Sequence, residues 1–133
     1  MPNVRGSVGA AEVSRDRCHR PWGWFETLAD GEGYRVKRLR LHPRQRLSLQ
    51  RHRHRSEHWL VVAGDGSLEL EEDTLLATTG TTLVIPCGAR HRAAAGEQGL
   101  EIIEVQRGSL LREDDIERFA DDYGRVIDSP LTL

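Results

Sequence analysis

Short segments of β-strand character, separated by glycine, proline or acidic turns, constrain the fold of this chain most strongly. Strand character recurs in residues 34–41, 47–52, 58–62, 67–70, 82–85 and 100–105. Short strands at this regular spacing predict an all-β sandwich or barrel. Helical spacing occurs only in residues 113–122, where Ile116, Phe119 and Ala120 would share one face before Gly124. We therefore expect one barrel with a short C-terminal helix.

The length and charge of the chain narrow the possible classes of protein. Its 133 residues fit one domain, and the polar N-terminal stretch predicts a flexible arm over residues 1–17 before a body at 18–133. The net charge of -2 gives no basic field that would favour nucleic acid. No run approaches the roughly 20 apolar residues of a membrane span, and no apolar signal segment opens the chain. We therefore expect a cytoplasmic protein that binds neither nucleic acid nor membrane.

The densest group of potential metal ligands lies in residues 48–59 (SLQRHRHRSEHW). A strand here would place Gln50, His52 and His54 on one face and the interleaved arginines, Arg55 among them, on the other. Neutral imidazoles bind divalent metals, whereas an inward guanidinium would repel one. The alternation is therefore expected to keep the arginine charges away from the imidazoles.

A carboxylate and a second segment complete a possible metal site. Glu57 follows His52 by five residues, Gly64 then marks a turn, and residues 80–91 (GTTLVIPCGARH) place a short strand and a tight turn before a histidine. An amide oxygen, a carboxylate and two imidazoles suit a borderline divalent ion such as zinc, manganese, iron, cobalt or nickel. The predicted ligands are Gln50, His52, Glu57 and His91.

Two other interpretations of the same stretch stay open. The run RHRHR alone also fits a solvated basic surface or a nucleic-acid patch. A different ligand set would use His52, His54 and His58, although it lacks a carboxylate and spoils the spacing to Gly64. His54 and His58 otherwise remain as groups beside the site.

The two segments resemble the paired motifs of the cupins. In the first family motif, a turn residue precedes His-x-His, a glutamate and a closing glycine. Here Arg44 stands at the turn position and Gln50 replaces the first histidine. The second motif, Gly, five residues, then Pro-x-Gly-x-x-His, matches fully over residues 80–91. The family's asparagine after this histidine is replaced by Ala95.

Within the cupins, the chain resembles the type II phosphomannose isomerases, which also form the C-terminal half of bifunctional isomerase/guanylyltransferases. The matching phrases are residues 20–23 (RPWG), 34–37 (YRVK), 47–50 (LSLQ), 54–59 (HRSEHW), 103–106 (IEVQ), 113–116 (EDDI) and 118–125 (RFADDYGR). The resemblance implies a jelly-roll barrel (double-stranded β-helix), one divalent metal, a homodimer, and interconversion of mannose 6-phosphate and fructose 6-phosphate through an enediol. No glycine-rich nucleotide-binding stretch precedes Arg20, so guanylyl transfer is not expected.

Such an isomerase needs a cation for the developing enediolate, a group that moves the proton between C1 and C2, and a cationic phosphate site. Lys37 and His54 are rival candidates for moving the proton, and Lys37 is also a candidate for holding the phosphate. Lys37 shares strand parity with Leu39, and lysine loses its proton more readily than arginine when buried. Four arginines are candidates for the phosphate, and two polar side chains for sugar hydroxyls: Arg20, Arg92, Arg118, Arg125, Glu104 and Gln106.

Two other functions remain open from the sequence. A related cupin enzyme would act on another small sugar, sugar phosphate or dioxygenase substrate, although Gln50 departs from the imidazole-rich iron sites of oxygenases. A cupin that only binds a metal or sugar would have lost catalysis, and the missing asparagine at Ala95 is consistent with such drift.

Overall fold

The computed structural model describes residues 16–126 of the chain. Nine antiparallel strands occur in this range. They are β1 (Cys18–Arg20), β2 (Gly23–Gly31), β3 (Tyr34–Leu41), β4 (Leu49–Arg51), β5 (Ser56–Leu70), β6 (Asp73–Ala77), β7 (Thr82–Ile85), β8 (His91–Arg107) and β9 (Glu117–Ala120). The strand order is β1-β2-β3-β8-β4-β9, and β5 pairs with β6, β7 and β8. The predicted all-β architecture is confirmed.

Two long strands, β5 and β8, form the spine of the sheet. The first half of β5 pairs with the second half of β8, from Ser56↔Arg107 to Gly64↔Leu100, and the remainder pairs from Gly66↔Ala95 to Leu70↔His91. Register shifts at Val61/Ala63 and Gly64/Gly66 add local bends, because a bulge increases the twist of its strand. The shift at Gly64/Gly66 divides the pairing of β5 with β8 into two stretches.

The strands predicted at 34–41 and 82–85 match β3 and β7 residue for residue. The turn predicted at Gly64 is wrong, because β5 runs through it as one strand. Gly64 instead has φ of 89°, and a Cβ there would lie 2.1 Å from the carbonyl oxygen of Gly99. The glycine therefore allows close approach between paired strands rather than ending one.

The predicted C-terminal helix is also wrong. Residues 117–120 form β9, which pairs with β4 through Leu49↔Ala120 and Arg51↔Glu117. The guanidinium groups of Arg51 and Arg90 both lie 5.4 Å from the centre of the Phe119 ring. Pairing with β4 and these cation–π contacts outweigh a weak local helical preference.

The interior of the barrel changes from apolar to polar along each inward-facing row of side chains. The apolar part includes Leu39, Leu41, Val61, Leu100 and Ile102, all nearly inaccessible to solvent. The same alternation continues into buried polar residues, namely Lys37, Glu57, Glu104 and Gln106. The inward orientation predicted for Lys37 is confirmed, since only 4% of it is exposed.

No helix that is long and apolar enough to cross a membrane occurs between residues 16 and 126. The flexible arm predicted for residues 1–17 lies outside the described residues except for Asp16 and Arg17, as do residues 127–133 at the end of the predicted body.

Two glycines with similar backbone conformations test the role assigned to Gly64. Gly64→Ala should destabilise the fold by about 1–3 kcal/mol more than Gly80→Ala, the range expected for overpacking. Both positions have positive φ, but no atom lies within 4 Å of a Cβ built at Gly80. Urea unfolding of the two variants measures the difference. Equal destabilisation would show that φ alone, and not the contact with Gly99, makes Gly64 necessary.

Candidate metal centre

Three buried side chains from separate segments converge at one point inside the barrel. His52 follows β4, Glu57 is near the start of β5, and His91 opens β8. All three are at most 3% exposed, and their potential ligand atoms lie within 4.8 Å of one another. Glu57 Oε2 is 3.2 Å from His52 Nε2, and Glu57 Oε1 is 3.4 Å from His91 Nε2. The fold thus brings together three of the four predicted ligands.

Backbone carbonyls fix the orientation of both imidazoles. His52 Nδ1 lies 2.7 Å from the carbonyl oxygen of Asp115, and His91 Nδ1 lies 2.9 Å from that of Ala89. A carbonyl oxygen only accepts, so each Nδ1 carries a hydrogen and donates it. In a neutral ring the lone pair is then on Nε2, which faces Glu57, the arrangement that a metal-ligating histidine requires.

The centre contains acceptors that have no donor. Among the described residues, Glu57 Oε1 and His91 Nε2 are buried without any hydrogen-bond partner. A carboxylate oxygen facing an imidazole lone pair is unfavourable unless a cation lies between them. Two imidazoles and one carboxylate are a donor set suited to a borderline divalent ion. The residues present therefore fit a metal.

Gln50 is in a position to add a fourth oxygen ligand. It is the register partner of His91 where β4 pairs with β8. Its amide nitrogen donates to the carbonyl and hydroxyl oxygens of Ser48, at 3.2 and 3.1 Å. These bonds assign the amide nitrogen to Ser48 and leave the amide oxygen for another partner.

Burial and mutual charge shift the pKa values of all three side chains of the triad. Burial would lower the pKa of His91, but the Glu57 carboxylate outweighs it and raises that pKa above the ordinary value. Burial dominates at His52 and lowers its pKa to about 4. Burial would raise the pKa of Glu57, but His91, His52 and Arg55 together hold it well below its usual range. The raised pKa means that a metal would compete with a proton for His91.

The expectation that every arginine of the RHRHR run points away is wrong for Arg55. Its guanidinium is buried, with Nε 2.8 Å from Glu57 Oε2 and Nη2 3.2 Å from His52 Nε2. The strand alternation fails because β4 ends at Arg51 and the chain then bends. The Asp115 carboxylate accepts hydrogen bonds from the backbone N–H groups of Arg53 and His54, both at 2.9 Å, and so fixes this bend.

A cleft opens beside the centre, and most of the remaining predicted residues line it. Arg55 and Trp59 connect the two, since both line the cleft while contacting the buried triad. Lys37 also lines the cleft, where its Nζ is 2.5 Å from Glu113 Oε2 and 4.1 Å from the centre of the Phe25 ring. The predicted residues in the lining are Arg20, Lys37, Gln50, Glu104, Gln106, Arg118 and Arg125.

A buried polar pair forms one wall of this cleft. Glu104 Oε2 accepts a hydrogen bond from the Trp59 indole at 3.0 Å, and Oε1 accepts one from the Gln106 amide at 2.9 Å. Burial, followed by the nearby Glu57 charge, raises the pKa of Glu104 to about 7. Within the described part of the chain, the amide oxygen of Gln106 is buried with no partner. The wall therefore offers an unsatisfied acceptor to a hydroxyl group.

Three positively charged side chains are grouped at another part of the cleft, namely Arg20, Arg118 and Arg125. Burial lowers the pKa of Arg118, and Arg125 and Arg20 lower it further, which indicates that the three guanidinium groups are close. Arg125 is held by two hydrogen bonds to the Asp121 carboxylate, at 2.7 and 2.9 Å. Arg118 Nε is buried without a partner in the range 16–126. This grouping suits an anion with several oxygens.

Three histidine and arginine candidates lie elsewhere. His54 and His58 are exposed and do not belong to the buried triad. Arg92 is buried, but its guanidinium donates to the carbonyl oxygens of Leu47 at 2.9 Å and Ala120 at 3.2 Å. Arg92 thus connects β8 to the segment before β4 and to β9, and it is not part of the cleft lining.

Sequence reasoning missed three residues that shape the site: Arg55, Glu113 and Asp115. The last two lie between β8 and β9, in a segment interpreted as a helix. The acidic run 113–115 opposite the arginine-rich run 51–55 was the available signal, because opposite charges in a small domain commonly pair.

A family model described as "Mannose-6-phosphate isomerase C-terminal" matches residues 9–121. The chain is 46% identical to "Xanthan biosynthesis protein XanB" of Xanthomonas campestris over 90% of its own length and 26% of that protein. It is 45% identical to "Mannose-1-phosphate guanylyltransferase" of Escherichia coli over 81% of its own length and 23% of that protein. The chain thus spans about a quarter of the length of these curated relatives.

Solved structures confirm the cupin barrel. KdgF from Halomonas sp. superposes with a TM-score of 0.66 at 19% identity, covering 74% of this chain and 91% of that one. A cupin-2 domain from Rhodospirillum rubrum gives a TM-score of 0.59 at 18% identity, covering 69% of this chain and 67% of that one. Identities this low show the fold alone.

The two alternative ligand sets make opposite predictions for His91 and His54. His91→Ala should reduce the bound divalent metal to background after loading and desalting, because it removes one of three converging ligands. His54→Ala should keep the wild-type metal content, because that ring is exposed and outside the triad. Elemental analysis of both purified variants checks this. Metal retained in His91→Ala and lost in His54→Ala would favour the alternative set.

Proposed function

The chain belongs to the mannose-6-phosphate isomerase C-terminal family, and from this premise we propose that it is a metal-dependent aldose–ketose isomerase. Its proposed reaction interconverts mannose 6-phosphate and fructose 6-phosphate through an enediol. The observation that carries the proposal is one cleft that Arg55 and Trp59 connect to the candidate metal centre and that three grouped arginines also line, namely Arg20, Arg118 and Arg125. A phosphorylated sugar presents the two matching groups, vicinal oxygens and a phosphate.

The metal would be held by His52, Glu57 and His91, with the Gln50 amide oxygen as the fourth ligand. A bound divalent ion would supply Lewis-acid stabilisation of the negative charge that develops on the sugar oxygens. The residues around it exclude water, since Trp59 packs edge-on against His91 and is 2% exposed. Low water content strengthens every charge interaction at the reacting carbons.

The phosphate would bind at the grouped arginines. Arg118 Nε lacks a partner, and Arg125 is pre-positioned by Asp121. Guanidinium groups match phosphate oxygens in a bidentate geometry. Arg20 lines the same cleft, with its Nη1 bonded to the His19 carbonyl oxygen. Arg92, by contrast, would contribute only to the structure that holds β4 and β9 in place.

Lys37 is the stronger of the two candidates for moving the proton. Its Nζ is buried at the cleft and paired with Glu113, whereas His54 is exposed outside the cleft. Lysine and a carboxylate in contact can pass a proton between them and return it to the adjacent carbon. Glu104 and Gln106 would hold the sugar hydroxyls, and the free Gln106 amide oxygen is the acceptor for one of them.

Homodimer formation and a location in the cytoplasm stay predictions of the sequence and of the family resemblance. An activity confined to another sugar phosphate, or to binding alone, is distinguished from the proposed isomerisation by the assay below.

An isomerase assay on the purified chain tests the proposal. After metal removal, the chain should convert mannose 6-phosphate to fructose 6-phosphate only when zinc, manganese, cobalt, nickel or iron is restored. In deuterium oxide the product should gain deuterium at C1, because an enediol exchanges its proton with solvent. His52→Ala is the matched inactive control. A folded chain that binds metal and turns over no substrate with any of these ions would contradict the proposal.

Removing one cleft arginine should weaken phosphate recognition selectively. Arg118→Gln should raise KM for mannose 6-phosphate about 10- to 100-fold, the value of a charge-assisted hydrogen bond to phosphate. Inorganic phosphate should lose inhibitory strength by a similar factor. Arg51→Gln is the control, because Arg51 is exposed on the neighbouring strand and pairs with Glu117. An unchanged KM for Arg118→Gln would place the phosphate elsewhere.

A further inference from the structure

Arg55 occupies two of the atoms that the candidate metal centre offers. Its Nε donates to Glu57 Oε2 at 2.8 Å, and its Nη2 is 3.2 Å from His52 Nε2. The His52 ring already donates from Nδ1 to Asp115, so its Nε2 carries the lone pair and accepts from Arg55. One lone pair cannot serve a guanidinium and a metal at the same time.

Charge adds to this competition. Arginine keeps its positive charge in proteins, so Arg55 would place a full charge beside any cation held by Glu57 and His52. Burial makes this repulsion stronger than it would be in water, and only 8% of Arg55 is exposed. Without a metal, the same charge compensates Glu57, which would otherwise be a buried carboxylate with neighbouring acceptors.

The surroundings of Arg55 provide a place for a displaced guanidinium. Its Nη1 already lies 3.2 Å from the carbonyl oxygen of Arg112. Glu113 follows on the same loop, has a half-exposed side chain and is close enough for Arg55 to lower its pKa. Both Arg55 and Glu113 line the cleft. A rotation that releases His52 would therefore move the guanidinium toward the cleft and a carboxylate.

We propose that Arg55 is a displaceable occupant of the metal centre, which closes the metal-free centre and releases His52 Nε2 when a divalent ion binds. It therefore lowers the affinity for metal and stabilises the metal-free protein. The inference rests on the proposed metal centre. In that setting the displaced guanidinium faces the cleft, where it adds a positive charge for an anionic substrate, so metal and substrate should each strengthen binding of the other.

The proposal is tested by the direction in which the Arg55 variants change the metal affinity of the full chain. Co²⁺ binding is measured by competition with a chromogenic chelator for wild type, Arg55→Gln, Arg55→Lys and Arg44→Gln. Arg55→Gln should bind Co²⁺ about tenfold more tightly than wild type, since a charge-assisted hydrogen bond to His52 no longer competes. Arg44→Gln is the control, because it removes one charge from an exposed pair with Glu97, and it should bind as wild type does.

Thermal unfolding without metal provides the second measurement. Arg55→Gln should melt at a lower temperature than wild type and gain more from added Co²⁺. If the Arg55→Gln variant does not fold, Arg55→Lys replaces it in both measurements. One ammonium group cannot bridge Glu57 and His52 as the guanidinium does. The Arg55→Lys variant should therefore also bind metal more tightly than wild type.

Equal or weaker Co²⁺ binding by the Arg55 variants would overturn the proposal, because Arg55 would then be neutral or would position Glu57 for the metal. If no chain, wild type included, binds Co²⁺, the proposed metal centre fails and the inference fails with it. Wild-type binding without a gain in the variants overturns the inference alone.

Discussion

The buried carboxylate of Glu57 is the constraint around which this barrel is organised. A charge that is 1% exposed must be compensated by partners, because burial without them costs several kcal/mol. Two imidazoles and the Arg55 guanidinium surround it. Two of these partners come from the segment between β4 and β5 and the third from the start of β8, while Glu57 itself lies in β5. Compensation of one charge therefore fixes how three parts of the chain meet.

The loop between β8 and β9, residues 108–116, completes this arrangement from outside. The Asp115 carbonyl sets the tautomer of His52, and the Asp115 carboxylate fixes the bend that turns Arg55 inward. The Arg112 carbonyl holds Arg55, and Glu113 pairs with Lys37. One loop thus contacts a candidate metal ligand, the Arg55 guanidinium and the lysine of the cleft. A change in this loop should therefore affect His52, Arg55 and Lys37 together.

The parts of the structure that could be predicted from sequence are those in which local pattern and tertiary pairing agree. The alternation in 34–41 gave β3 and the inward position of Lys37, and motif spacing selected His52, Glu57 and His91, which the fold brings together. Arg55 could not be predicted, because strand parity is lost at a bend that a residue some 60 positions later creates. The prediction of a helix was wrong for a similar reason. The sequence pattern of residues 113–122 carries no information about the free edge of β4, with which residues 117–120 pair.

Under the proposed function, the spacing of the strands would let one substrate contact both the candidate metal centre and the grouped arginines. His91 of β8 is the register partner of Gln50 in β4, and Gln50 is in turn the partner of Arg118 in β9. Two strand spacings, about 10 Å, separate the backbone of the candidate metal ligand from that of Arg118. A hexose phosphate can extend over that span, with its carbonyl end toward the triad and its phosphate toward the arginines. A smaller anion would reach only one of the two parts. We therefore expect the proposed site to favour a phosphorylated sugar over free phosphate or an unphosphorylated sugar, with C1 and C2 on the side of the candidate metal centre.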